Sequence, residues 1–318
     1  MLLSQVMAPL PVERLKPSPP WFQCGLDYFG PFQVKDMVRK RITMKVYGVI
    51  FTCMTTRAVH LDLAEGYDTP SFLKCFERFV SLRGTPSLLY SDRGTQLVGA
   101  AGQVAKQGVT WKFTKGADAP WQNGITESLI RGVKRSLSLA IGESLLPYSD
   151  LQTVFFKIAN LMNERPIGMK PGSDFSSGTY LCPNDLLLGR PSCAVPSGQF
   201  DATLNPSKRM QFVDKMIDSF WTKWTRDYFP SLIVMQKWHT KQRNVREGDI
   251  VLVKDSNIVR GHWKMGLVCK TTPGADGQVR NVIVKYKLPN PSKSLKDLKY
   301  IQVDRAVHNL VMLLPVEE

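Results

Sequence analysis

Between residues 24 and 64 three apolar, β-branched runs follow one another: Cys24–Phe29, Ile42–Thr55 and Ala58–Ala64. Their roughly ten-residue spacing and short joins predict an antiparallel meander. The period then changes. Thr69–Leu82 sets Phe72, Leu73, Phe76, Phe79 and Val80 on one helical stripe, with Thr69 as its cap and Arg83-Gly84-Thr85-Pro86 as its stop. Ser87–Ser91 reads as a strand, Leu97–Lys106 as a short helix and Val109–Phe113 as another strand. Thr126–Ile141 is an amphipathic helix, with Leu129, Ile130, Val133, Leu137 and Ala140 on one face and Arg131, Lys134 and Arg135 on the other. Ser149–Asn163 predicts a further helix. Three meandering strands followed by alternating helices and strands specify a mixed α/β sheet, not a doubly wound one.

Beyond this block the composition shifts. Residues 164–204 are rich in Gly, Pro and Ser and predict a connector with one ordered piece, Pro183–Leu188. Met210–Tyr228 predicts a helix carrying Phe220, Trp221 and Trp224. Asp249–Val253, Gly266–Lys270, Val279–Tyr286 and Val307–Leu314 then alternate with period two between turns, the pattern of a small β-barrel. The expected organisation is a linker at 1–20, an α/β core at 21–165, a connector at 166–204, and a helix plus β-barrel at 205–318.

Charge narrows the partners. The formal net charge is +15, of which +9 lies from residue 205 onward (20 basic against 11 acidic residues). Such an excess suits a polyanion, because each neutralised phosphate releases condensed counterions. No apolar run approaches the ~18 residues of a membrane span, so no membrane partner is expected. The first residues lack the basic leader and cleavage-like end of a secretory signal. Six cysteines form no CxxC and four histidines no HxxxH, so no zinc finger is encoded. The thiols read as free side chains of a reducing compartment.

Three carboxylates stand where carboxylates are unexpected. Asp27 lies inside an apolar strand, Asp92 closes the next major strand, and Glu127, 35 positions later, opens the basic-faced helix. Each has a plain alternative: Asp27 a solvent-facing edge, Asp92 a turn residue before Arg93-Gly94, and Glu127 a first-turn helix acid or an i+4 partner of Arg131. Jointly they suit a pair of divalent cations, because hard ions take oxygen ligands. Two such ions about 4 Å apart activate the attacking oxygen and stabilise the leaving oxygen in phosphoryl transfer.

The wording around these acids resembles a known family. Gly25-Leu26-Asp27-Tyr28-Phe29-Gly30-Pro31-Phe32, Tyr90-Ser91-Asp92-Arg93-Gly94-Thr95 and Asn123-Gly124-Ile125-Thr126-Glu127-Ser128 resemble the acidic blocks of the retroviral integrase superfamily. Tyr47–Cys53, Thr55–Leu61, Asn163-Glu164-Arg165-Pro166, Pro183–Arg190 and the tract from Phe220-Trp221 to His262-Trp263 are similar to the integrases of Pao/BEL LTR retrotransposons. The resemblance implies an RNase H-like core followed by an SH3-like DNA-binding module. It implies Asp27, Asp92 and Glu127 as the catalytic ligands of two Mg²⁺ or Mn²⁺ ions, with 3′-end processing and strand transfer as the reactions. It implies DNA as partner, a homo-oligomer, and a nuclear site of action after a cytoplasmic stage.

Neighbouring residues fill in the picture. Arg131 and Lys134 follow Glu127 at i+4 and i+7 and share its helical face, where they read as phosphate contacts or as a solvated basic face. Asn123 and Gln122 precede Glu127 in its loop, where the resemblance implies contact with DNA, Asn123 having a turn role as its alternative. The second acidic block carries Arg93 and Gln96 where relatives tend to have Asn; Gln96 is a further candidate DNA contact. Two other functions stay open at this point: a host-retained DNA- or chromatin-binding remnant without catalysis, and an RNase H-type nuclease.

Overall fold

The computed structural model describes residues 16–35, 42–114, 124–142, 144–170, 180–189, 208–232, 243–254, 263–287 and 299–316, with side chains for these except 124–129, 208–209, 227 and 230–232. The chain divides into two compact units: Met1–Asn163, Leu186–Arg190 and Pro206–Trp224 form the first, and Glu164–Asp185, Pro191–Asn205 and Thr225–Glu318 the second.

In the first unit the expected meander is present. Strands β1 (Gln23–Lys35), β2 (Thr43–Cys53) and β3 (Val59–Ala64) pair antiparallel. Helix α1 (Thr69–Arg83) leads to β4 (Leu88–Ser91), and α2 (Thr95–Lys106) leads to β5 (Thr110–Phe113). Both strands lie parallel to β1, giving the order β3-β2-β1-β4-β5. After α3 (Gly124–Ile141), the two-residue β6 (Leu146–Pro147) joins the far end of β1, and α4 (Tyr148–Asn163) follows. This strand order, with β2 alone reversed between β3 and β1 against the parallel β4 and β5, is that of an RNase H-like sheet.

Alternation along β1 decides what each face receives. Cys24, Leu26 and Tyr28 join the cluster of Val49, Phe51, Phe72, Phe76 and Phe79, contributed by β2 and α1. Phe51 and Phe79 stack with centroids 4.1 Å apart. Phe29 turns to the opposite face and stacks on Phe155 of α4. Its ring lies where a Cβ on Gly48 would be, 2.3 Å from the nearest carbon, so only glycine admits it. Asp27 shares the Phe29 parity. It therefore belongs to the α3/α4 side of a central strand, not to a sheet edge.

Two local readings change. The cap of α1 is Asp68, not Thr69: the Asp68 carboxylate accepts the Ser71 N–H at 2.8 Å, while the Thr69 hydroxyl donates to the Gln96 carbonyl at 3.0 Å. Asn163 also has a structural task. Its amide oxygen accepts the Val59 N–H at 2.8 Å and its amide nitrogen donates to the Val59 carbonyl at 2.9 Å, which completes the outer edge of β3.

The second unit contains the paired β7 (Gly168–Met169) and β8 (Tyr180–Leu181), ordered structure beyond the single piece expected of the connector. The next helix, α5 (Pro183–Leu188), is that expected piece. Buried Glu164 accepts a hydrogen bond from the Asn184 amide, joining two of the recognised sequence blocks. Helix α6 (Lys208–Leu232) begins in the first unit and ends in the second. Its buried stripe is Val213, Met216, Ile217, Phe220, Trp221, Trp224 and Phe229.

A five-stranded antiparallel sheet closes the chain: β9 (Ile250–Val253), β10 (Lys264–Pro273), β11 (Val279–Lys287), β12 (Tyr300–Ala306) and β13 (Leu310–Leu314), in the order β12-β11-β10-β9-β13. It is the small β-module expected as SH3-like, with Val251, Val253, Val268, Val282, Val284 and Tyr286 inside. Strand β12 is additional to those read from the sequence. No described helix is long and apolar enough to cross a membrane.

Candidate active site

The site is built on strand register. Gln23, Cys24 and Gly25 of β1 pair with Leu88, Leu89 and Tyr90 of the parallel β4, a constant offset of 65. Continued for two residues, that offset sets Asp27 beside Asp92 at the carboxyl end of β4. Neighbouring strands lie about 4.8 Å apart, so two acids distant in sequence become adjacent.

The loop at Asp92 is held from below. The Ser91 hydroxyl donates to the Asp92 carbonyl at 2.7 Å and receives the Trp111 indole N–H at 2.9 Å. The Gly94 N–H donates to Asp92 Oδ1 at 3.3 Å, an Asx-type turn that engages one carboxylate oxygen. Asp92 is exposed and Asp27 half-buried.

Asp27 meets one cation. Lys134 Nζ of α3 lies 2.6 Å from Asp27 Oδ2. Desolvation raises the Asp27 carboxyl above its ordinary value; Lys134 opposes that rise, and the charge of Asp92 adds to it. A carboxyl held in this balance is a poor structural group and a good one for an incoming positive charge.

Glu127 lies in the first turn of α3, seven residues before Lys134, on the same helical stripe. Its side chain is outside the described residues, as are Asn123 and Gln122. Among the described residues no cluster of three metal-ligating side chains occurs. Arg131 is exposed one turn from Lys134. Gln96 is buried at 3% exposure beside Gly94, and among the described residues neither end of its amide has a hydrogen-bond partner. It is tucked inward in this conformation, whereas a DNA contact requires an outward amide.

The sequence reading expects the C-terminal module to bind DNA and counts Lys270 among its basic residues, but it misses Lys285, Lys287 and Tyr300 on the outer face of the C-terminal sheet. Lys285 and Lys287 alternate with buried Val284 and Tyr286, so both point outward. Their ammonium groups lie 4.6 and 4.8 Å from the centroid of Tyr300, which pairs with Lys287 across β11 and β12. Lys270 is exposed on β10, opposite Ile283 of the same face. The alternation Val282-x-Val284-x-Tyr286 was the available signal; Tyr300 lay on the unread strand.

Comparison with known proteins follows the same division. Residues 208–313 match a family of unknown function (DUF5641). No curated protein matches the chain. Among solved structures, the HTLV-2 integrase catalytic core domain in complex with magnesium is similar at 14% identity over 48% of this chain and 91% of that one, TM-score 0.34. The BIV integrase catalytic core is similar at 14% identity over 53% and 95%, TM-score 0.35. The simian T-cell lymphotropic virus intasome, in complex with PP2A regulatory subunit B56 gamma, is similar at 9% identity over 93% and 80%, TM-score 0.39. At these scores the likenesses carry no weight in assigning the fold, which rests on strand order and direction.

Proposed function

We propose that this chain is an integrase-type polynucleotidyl transferase, which processes DNA 3′ ends and joins them to a target strand. The observation that carries the reading is the register of β1 and β4, which makes Asp27 and Asp92 neighbours beside the helix that bears Glu127. The donor set fits divalent cations: two hard carboxylates, one desolvated and already facing an ammonium.

Asp27, Asp92 and Glu127 would hold two Mg²⁺ or Mn²⁺ ions. When bound, such a pair supplies Lewis-acid charge to both the attacking and the leaving oxygen of a phosphodiester. The protein's own share is positional. The strands fix two carboxylates at sheet spacing, the Gly94 N–H orients one oxygen of Asp92, and Lys134 adds a positive charge within reach of a bound phosphate. Arg131, Asn123 and Gln122 are carried as DNA contacts in this reading; Gln96, buried in this conformation, would join them only by turning its amide outward.

The C-terminal unit is proposed to grip DNA nonspecifically through Lys270, Lys285, Lys287 and Tyr300, two ammonium groups over an aromatic ring being suited to a phosphate backbone with stacked bases. The kinship proposed is with Pao/BEL retrotransposon integrases. A homo-oligomer acting in the nucleus follows from that kinship; the HTLV-2 core is known in trimeric and dimeric forms.

The test is a joining assay with a duplex oligonucleotide bearing a free 3′-hydroxyl, a supercoiled plasmid and Mn²⁺. Wild-type protein should give joined product, and Asp92→Asn roughly 10²-fold less or lower still. Equal product from the two proteins removes the catalytic claim. DNA retention without product would leave the noncatalytic binding reading, and cleavage of an RNA–DNA hybrid in place of joining would favour the nuclease.

A further inference from the structure

Cys24 and Cys53 face each other across β1 and β2. The Cys53 N–H donates away from β1, to the Ala58 carbonyl at 2.9 Å, and on the adjacent rung the Met54 N–H donates to the Gln23 carbonyl at 3.0 Å. Cys24 and Cys53 are therefore a non-hydrogen-bonded pair, the antiparallel position where Cα atoms lie about 4.5 Å apart. That separation falls within the ~4.4–6.8 Å that a disulfide spans. The two sulfurs also meet at one peptide segment: Cys53 Sγ accepts the Trp21 N–H at 3.3 Å, and Cys24 Sγ donates to the Trp21 carbonyl at 3.1 Å.

We propose that Cys24 and Cys53 are a redox pair that closes a cross-strand disulfide when the protein meets a low-molecular-weight disulfide. Cys53 is the first nucleophile, because its sulfur receives N–H groups from both Trp21 and Thr56. Its thiolate attacks one sulfur of the small disulfide and releases the first small thiol. Cys24 then loses its proton and attacks the Cys53 sulfur of the mixed disulfide, releasing the second. Two protein thiols are oxidised and one small disulfide is reduced to two thiols. Cys53 is 1% exposed and Cys24 0%, so both steps wait on local opening near Trp21, and burial, which pushes the Cys24 thiol well up, makes the second the slower. The bond would fasten β1 to β2 three residues before Asp27, on the strand that carries it.

The experiment incubates the folded full chain with glutathione disulfide, traps remaining thiols by alkylation and maps the peptides by mass. The expected result is one linked peptide pair, Cys24–Cys53, lighter by two hydrogens and released by dithiothreitol. Cys24→Ala should abolish the link and leave Cys53 carrying glutathione; Cys53→Ala should abolish it as well. Alkylation of both thiols after prolonged oxidation overturns the proposal. So does a scrambled set of pairings among the six cysteines, or a link from either residue to Cys75. None of these readouts depends on joining activity, so the pair stands or falls apart from the proposed function.

Discussion

Two aspartates show how differently the two units treat a carboxyl taken out of water. Asp249, fully buried at the start of β9, is saturated: Arg243 grips both oxygens at 2.9 Å, and the Arg246 and Val316 N–H groups add bonds at 2.7 and 2.9 Å. Although burial pushes its carboxyl up, Arg243 and the two N–H groups outweigh that and hold it below the ordinary carboxylate range. Asp27, in the first unit, has Lys134 as an ion-pair partner, a neighbouring acid, and a carboxyl that desolvation holds above its ordinary value. The contrast separates a carboxylate that fastens the fold from one kept available for something else.

Acid should separate the units most strongly. His60, in the first unit, is buried among Trp21, Phe51 and Phe79, and desolvation with the nearby Arg83 and Arg78 pushes it down to about 3. A base with a depressed folded pKa stabilises fully above its ordinary value of 6.5 and loses that contribution as pH falls toward 3, about 5 kcal/mol in all. His60→Phe should flatten the pH dependence of the first unit across that window in denaturant melts; an unchanged profile would remove His60 as the cause. In the second unit, Asp249 contributes fully above the ordinary 3.8 and loses its contribution only as pH falls through its lower folded value.

Breaking the saturated site comes next. Asp249→Asn should cost about 3 kcal/mol, by leaving Arg243 without its carboxylate, and should appear as a lower urea midpoint for the C-terminal unit. Asp27→Asn should do the reverse in metal-free protein: an unchanged or higher melting temperature together with roughly 10²-fold less joining. If Asp27→Asn destabilises as much as Asp249→Asn, the distinction between the two carboxylates fails. The smallest effect concerns the outer face of the C-terminal sheet. Lys285→Ala with Lys287→Ala should weaken duplex binding uniformly across sequences and reduce the salt slope by about 2, measured by fluorescence anisotropy from low to moderate salt.

Local pattern foretold the meander, the alternating helices and strands, and the small β-module, because periods of 2 and 3.6 residues are written directly into side-chain order. Asp27 and Asp92 were recognisable as unusual acids, but their adjacency needed the parallel register of β1 and β4, which no local signal carries. The ion pair of Lys134 with Asp27 spans 107 positions and was equally hidden. Asp68 and Thr69 are both competent caps; the extended backbone at Asp68 (φ −133°, ψ 164°) decides between them. Strand β12 escaped notice because its alternation is short: Ile301 and Val303 alternate with Gln302 and Asp304, and Arg305 then stands where a third apolar residue would be. The amphipathic stripe of α6 announced a buried face without saying whose core it would enter.

That last point bears on how the protein is made. Trp224 lies over Gly132 of α3, Lys223 donates to the Leu139 carbonyl, and Lys157 of α4 pairs with Asp214 at 3.0 Å. A nascent chain that has emerged only as far as α4 still exposes these parts of α3 and α4 to water. Co-translational closure of the first unit must therefore wait until Trp224 has left the ribosome. Any nonsense or frameshift lesion in the connector would release an α/β unit in which α3 and α4 lack the α6 residues that cover them.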